Sequence, residues 1–187
     1  MKVLPKLGFK NNFIQTGMEA DDLIAAITQN YDVELVIISA DQDLYQLLTP
    51  TVSMYSSKGK KLTTDKSFTK EYGIKPDKWA RVKQIAGCST DNVKGIEKVG
   101  EKTAIKYIKD ELGKKTKAYN NIVQGDAIIE RNEALVKLPF KGTKIPKIRL
   151  PGPLYLANFV EITDEYGFRS MQQVGQLNQW ITQFEMV

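Results

Sequence analysis

Residues 33–39 read VELVIIS, a β-branched apolar run closed at both ends by polar residues. A strand with one wet face alternates apolar and polar side chains, and this run does not. It predicts a strand covered on both faces, as in a parallel sheet flanked by helices. The neighbouring segments agree. In DDLIAAITQN (21–30), Leu23, Ile24, Ala26 and Ile27 share a face at helical spacing, behind acids that suit a first turn. DLYQLL (43–48) reads as a short helix and VSMYSS (52–57) as a second strand, so the order β, α, β predicts an α/β sheet. SKGKKL follows as an exposed, lysine-rich turn.

From residue 65 the pattern is helical. DKSFTKEYG ends at a glycine suited to a C-cap, and Pro76 opens PDKWARVKQIAG, as proline does in a first turn. DNVKGIEKVGEKTAIKYI (91–108) predicts two short helices around a glycine-bracketed hairpin, and AIIERNEALVKL (127–138) a further helix. Pro139, Pro146, Pro151 and Pro153 punctuate a stretch with room for one short strand, KIRL. LANFVEITDEYGF and MQQVGQLNQWITQF close the chain as helices. At 187 residues this is one domain or a core with an appendage, and no internal repeat or low-complexity segment occurs.

Five carboxylates edge the apolar segments: Glu19, Asp21 and Asp22 in GMEADDLI, then Asp41 and Asp43 in SADQDL. Asp41 lies just beyond the run ending at Ser39, on the rim where open α/β sheets bind ligands. In extended chain Asp41 and Asp43 share a face. Glu19, Asp21 and Asp22 converge only if the chain turns there, and Thr16-Gly17 supplies a turn. Two readings stand. The acids favour helix dipoles and caps, or they surround something positive. Composition narrows the second. The chain has no histidine and one cysteine, Cys88, which excludes a Ser-His-Asp triad, a Cys-His pair, a His-ligated zinc site and an intrachain disulfide. Hard oxygen ligands favour Mg²⁺ or Mn²⁺. A net charge of +5 together with clustered acids makes the chain a candidate nucleic-acid binder with a metal site, though mild basicity alone is weak evidence. The lone cysteine suits a reducing compartment, and no apolar run reaches the ~18 residues of a membrane span. The expectation is a cytoplasmic protein, in the host cytoplasm if viral, with no membrane partner.

Asp91 adds a sixth acid ahead of GIEKVGEKTA (95–104). Gly95 and Gly100 sit where a tight turn lets backbone approach a phosphate, and the next helix N-terminus offers N–H donors. Lys98 and Lys102 flank that turn. A purely structural hairpin with exposed lysines is the other reading. Lys58, Lys60 and Lys61 form a second phosphate contact or a solvated turn.

EADDLIA, SADQDLYQLL and IAGCSTDNVKGIEKVGEKTA, with NEALVKLP after them, resemble the successive core motifs of the structure-specific 5′ nucleases, the flap endonucleases and 5′–3′ exonucleases of DNA replication. Order, spacing and local context match across residues 12–140; beyond 141 only EYGFRS fits. The resemblance implies an α/β fold: a partial PIN-like parallel sheet with helices, then a helix–three-turn–helix DNA-binding region and C-terminal helices. By residue this is a nuclease-core part over 1–62, the DNA-binding region over 63–140 and a helical tail over 141–187. It implies Glu19, Asp21, Asp22, Asp41, Asp43 and Asp91 as catalytic ligands of two Mg²⁺ or Mn²⁺ ions about 4 Å apart, bridging the scissile phosphate. It also implies K⁺ bound by backbone carbonyls in the helix–three-turn–helix loop, with Gly95, Lys98, Gly100, Lys102, Lys58, Lys60 and Lys61 contacting branched or 5′-ended DNA through its phosphates.

Two departures from the pattern matter. Bacterial-type members of that family often have an aspartate three residues before the position of Asp91, and here it is Cys88; a thiol weakens a second site for a hard ion. The default for a small buried cysteine is packing. The family's N-terminal portion, with its first-strand aspartate and helical arch, also has no counterpart. The expectation is therefore a metal-dependent 5′ nuclease component, either a fragment or one subunit of a split nuclease completed by a second polypeptide. The rivals are a non-catalytic DNA-binding protein with a vestigial acid cluster and, less well matched, a PIN-type ribonuclease.

Overall fold

The computed structural model of the protein describes residues 3–187. In chain order its elements are α1 (Val3–Lys6), α2 (Ala20–Asn30), β1 (Leu35–Ile38), β2 (Val52–Ser56), β3 (Lys61–Thr63), α3 (Asp65–Tyr72), α4 (Trp79–Ala86), β4 (Gly87–Cys88), β5 (Val93–Lys94), α5 (Glu101–Ile108), α6 (Lys117–Val123), α7 (Asp126–Val136), α8 (Leu156–Glu165) and α9 (Val174–Phe184), with 3₁₀ turns at Gln42–Leu47, Pro76–Lys78 and Arg169–Gln172. The chain divides into a larger unit, Gln15–Ile145, and a smaller one that joins Met1–Ile14 to Pro146–Val187. The expected boundary between residues 62 and 63 falls inside the larger unit.

In the larger unit β1 and β2 pair in parallel, Leu35 opposite Val52 and Ile38 opposite Tyr55. About a dozen residues link them, the length a parallel crossover needs. β3 then returns antiparallel to β2, so SKGKKL is a hairpin whose second half is a strand rather than turn alone. Lys60 takes the left-handed turn conformation there. β1 is an edge strand among the described residues.

The other side of the sheet is packed. Ile37, Val52 and Met54 are buried with Leu44, Phe68, Trp79, Val82 and Ile85. Burying each of the larger of these side chains contributes about 1.5–3 kcal/mol. Tyr45, Phe68, Tyr72 and Trp79 form a ring cluster with centroids 4.6–6.2 Å apart, and the indole of Trp79 donates to the carbonyl of Gln42 at 2.8 Å. Thr64 and Ser67 cap α3 reciprocally, and Gly73 ends it in the left-handed conformation the sequence predicts.

VELVIIS departs from expectation. Val36 and Ile38 are 59% and 75% exposed, so β1 is covered on one face only. Its unbroken apolar character leaves an open hydrophobic face within this unit.

The segment 91–99 also differs. Its first half is not a helix: β5 pairs antiparallel with β4, Gly87 opposite Lys94. The helix that enters this turn is α4, and α5 leaves it. α4 packs against both α5 and α7. The reason is backbone proximity. A Cβ on Gly95 would fall on the main chain of Ala86 and Gly87, and Gly87 itself has φ +76°. The two chains can lie this close only as glycines. The carboxamide of buried Asn132 then ties α7 to both, donating to the carbonyls of Gln84 and Lys94.

In the smaller unit α1 packs on α8, with Lys6 3.1 Å from Glu165. Phe159, Trp180 and Phe184 gather where α8 meets α9. KIRL forms no strand; the backbone of Arg149 is instead held by both ends of the Asn11 carboxamide. No described helix is long and apolar enough to cross a membrane.

Candidate functional site

Four stretches of the larger unit, three of them bearing acids, converge on one depression of about 260 Å³. Its wall includes Glu19, Asp21, Asp41, Asp43 and Asp91, with Val93, Leu135 and Leu138. Each acid arrives for a local reason. Gly17, at φ +82°, turns the chain so that Glu19 becomes the N-cap of α2 and Asp21 lies in its first turn. At the end of β1 the amide of Ser39 still donates to Tyr55, after which the chain leaves the sheet. Asp41 Oδ1 there accepts the amide of Asp43 at 2.9 Å and caps the 3₁₀ turn. Asp41 and Asp43 are thus neighbours through a turn rather than through extended-chain alternation. Asp41 thus both caps the 3₁₀ turn and lines the depression.

Asp22 stands apart. It is buried, one carboxylate oxygen accepts the amide of Glu19 at 3.0 Å, and the other accepts that of Phe140 at 2.7 Å. It lines a neighbouring depression with Gly17, Leu138 and Phe140.

The crowding has an electrostatic signature. The Asp21 carboxyl is pushed up to about 6, first by burial and then by repulsion from Asp41, Glu19, Asp43 and Asp22. Between about pH 4 and 6 the folded state then holds more protons at this group than the unfolded chain does, so metal-free stability from Asp21 rises as pH falls through that window. The checking measurement is the melting temperature in chelator between pH 7 and 5. Wild type should gain on Asp21→Asn as the pH drops, and parallel curves would remove this account.

Lys83 is the group the sequence reading missed. Its ammonium lies 3.1 Å from Asp43 Oδ1 and 2.9 Å from Glu101 Oε1, and 5.4 Å from the centre of the Trp79 ring, with the side chain 6% exposed. Burial pulls its pKa down, but the hydrogen bonds and charges of Glu101 and Asp43 outweigh that and hold it above the ordinary lysine range. Asp43 nonetheless shifts upward, because burial, Asp41 and Asp91 together exceed the pull of Lys83. The ammonium stays charged and offsets part of the acid cluster. A sequence signal existed: Lys83 falls on the face of α4 shared with Trp79, Val82 and Ala86, where a cation needs a partner.

Cys88 borders a second depression, about 520 Å³, with Asp43, Lys83, Thr90, Gly100 and Glu101. Its Sγ donates to Asp91 Oδ2 at 2.7 Å and lies 3.0 Å from Thr90 Oγ1. Burial, then the bond to Asp91, push the thiol pKa up.

Of the basic and glycine positions, Gly100 is the exposed N-cap of α5, and a Cβ there would meet nothing within 4 Å. Lys98, at φ 62°, occupies the turn and is 3.7 Å from Glu97. Lys102 is exposed on α5. Gly95 is occupied by backbone packing, as described above. Lys58 and Lys60 are exposed on the β2–β3 turn, while Lys61 pairs with Glu71 at 2.7 Å.

The profile of the 5′-3′ exonuclease N-terminal resolvase-like domain matches residues 1–73. The 5′-3′ exonuclease of Buchnera aphidicola subsp. Acyrthosiphon pisum is 30% identical over 146 residues, covering 76% of this chain and 50% of that protein. The structure of T5 5′-exonuclease with divalent metal ions (zinc) bound aligns with a TM-score of 0.60 at 28% identity, over 68% of this chain and 52% of that one. The chain belongs to the 5′ nuclease family. Bacteriophage T5 flap endonuclease in a pseudo-enzyme-product complex with DNA and metal ions aligns equally well, at 0.60 and 27%. Thermostable DNA polymerase I of Thermus thermophilus is 35% identical over 97 residues, 12% of its length. As a member of this family, the chain spans about half the length of the curated relatives it matches.

Proposed function

We propose that this chain is the metal-binding and DNA-positioning part of a 5′ nuclease that hydrolyses phosphodiester bonds in branched or 5′-ended DNA. The observation that supports it most is the meeting of Glu19, Asp21, Asp41, Asp43 and Asp91 around one cavity, from three separate stretches of chain. Five carboxylates and no histidine are a hard-oxygen donor set that fits Mg²⁺ or Mn²⁺. Two such ions, when bound, activate a water and neutralise charge on the scissile phosphate.

The chain's own residues do the rest. The Asp41 carboxylate is held by the 3₁₀ turn that it caps and that of Asp43 by Lys83, so one oxygen of each is fixed before any ligand arrives. Asp22, tied to two backbone amides, holds the mouth of α2 and with it Glu19 and Asp21. Gly100 and the first amides of α5 offer an open approach to a backbone phosphate, and Lys98 and Lys102 add charge beside it. The family resemblance adds a K⁺ ion on carbonyls of this turn, and a cytoplasmic setting suits the single cysteine.

The open face of β1, with Val36 and Ile38 exposed on an edge strand, favours a complementing N-terminal polypeptide, joined or separate, that covers it.

The test is cleavage of a 5′-labelled flap DNA by the chain together with such a polypeptide. Cutting should require Mg²⁺ or Mn²⁺ and fall by more than ~100-fold in Asp41→Asn. In the same preparation Lys98→Ala should lower the salt dependence of DNA binding by about one counterion. DNA binding that persists with no metal-dependent cutting would select the non-catalytic reading instead.

A further inference from the structure

We propose that Cys88 is itself a metal ligand, and that with Asp43 and Asp91 it makes one of this chain's ion positions selective for zinc-like, borderline cations over Mg²⁺. The inference rests on the reading of the acid cavity as a divalent-ion site and concerns which ion that site prefers.

The geometry is that of a three-donor site. The ligand atoms of Asp43, Cys88 and Asp91 all lie within 4.8 Å of one another. A tetrahedral ion with sulfur at about 2.3 Å and oxygen at about 2.1 Å needs sulfur–oxygen separations of about 3.6 Å. Cys88 Sγ and Asp91 Oδ2, at 2.7 Å, are closer than that spacing, and an entering ion would part them; the remaining pairs lie within 4.8 Å. The surroundings of the sulfur also differ from those of a packing cysteine: Sγ hydrogen-bonds with Asp91 and Thr90, and it borders the open depression shared with Asp43 and Lys83. The side chain points at the acids rather than into the apolar core.

Charge is largely offset as well. Two carboxylates and a thiolate bring three negative charges against two positive on a divalent ion, and the Lys83 ammonium, shared between Asp43 and Glu101, offsets part of the remainder. Lys83 holds Asp43 Oδ1, which leaves Oδ2 for the ion. On binding, the thiol proton passes to solvent as the sulfur–metal bond forms. A carboxylate at residue 88 would give the same charge with a hard donor. The thiolate keeps the charge and changes the preference, because sulfur favours zinc and cobalt over magnesium.

The full chain is titrated with Co²⁺ and followed by near-ultraviolet absorption. Because Cys88 is the sole cysteine, a thiolate-to-cobalt charge-transfer band has one possible source. The band should appear in wild type, weaken in Asp43→Asn and vanish in Cys88→Ser. Zn²⁺ affinity, by calorimetry, should fall on the order of tenfold or more in Cys88→Ser, while Cys88→Asp should restore or raise Mg²⁺ affinity. Circular dichroism of each variant establishes that it is folded. If Mn²⁺ still binds wild type but no band forms and Zn²⁺ affinity is equal in Cys88→Ser, the cysteine proposal fails and the acid site stands. If no divalent ion binds wild type at all, both fail.

Discussion

Gly95→Ala should lower the melting temperature of this protein by about 10 °C, corresponding to a loss of roughly 3 kcal/mol, whereas Gly100→Ala in the same turn should leave it nearly unchanged. The added methyl at 95 meets the carbonyl of Ala86 and the amide of Gly87, main-chain atoms that cannot rotate away. The strands cannot part to admit it either. Ile96 donates to Ile85 at 2.8 Å, and Asn132 holds the carbonyls of Gln84 and Lys94 at 2.9 and 3.0 Å. Relief therefore means breaking the β4–β5 pairing and releasing the turn that presents Gly100. At Gly100 a methyl enters open space at φ −97°, an ordinary conformation. Thermal melts of the two variants decide the point. A Gly95→Ala melting temperature within about 2 °C of wild type would overturn the packing account and return Gly95 to the phosphate-approach role its sequence context suggests.

Lys83→Met, in metal-free buffer, should cost about 3 kcal/mol, toward the lower end of what breaking a buried ion pair costs. Methionine keeps most of the stem against Trp79 and removes only the charge. Asp43 then faces Asp41 and Asp91 with no cation at 3.1 Å, and its carboxyl shifts further upward. Glu101 loses its partner too, but its side chain is 41% exposed and water replaces much of the pairing. Saturating Mn²⁺ should recover more stability in the variant than it adds to wild type, because the ion takes over the neutralising role. The comparison is two pairs of denaturant titrations, with and without metal. Equal stability of variant and wild type in chelator would show that Lys83 is not the counter-ion of the cluster.

Most of the acid lining of the depression is legible in the sequence alone. Glu19, Asp21, Asp41, Asp43 and Asp91 stand beside strong local signals, namely a glycine turn, a helix start and a strand end. Such signals are set by neighbours within a few residues, and those neighbours act alike in sequence and in structure. The same holds for Gly73 at the end of α3 and Pro76 before α4. The misses are long-range. β3 was read as turn because three residues with a lysine and an exposed leucine have no strand signal until β2 supplies the partner ladder. The sequence predicts a short helix ahead of the hairpin in 91–99 because nothing local announces that Gly95 must press against Ala86.

Lys83 and Asp22 show the same division within the site. On helical spacing Lys83 was one lysine in a helix, and Asp22 one acid among three. Only the meeting of α4 with the 3₁₀ turn and α5 turns Lys83 into a buried counter-ion. Only the approach of residue 140 gives the second oxygen of Asp22 an amide and turns that carboxylate away from the cavity. The chain's pattern of apolar period, turn glycines and first-turn acids decided which elements exist and where the charges sit along them. Tertiary packing decided which charges face one another, since Coulomb energy and desolvation depend on distances and burial that exist only once the elements are packed.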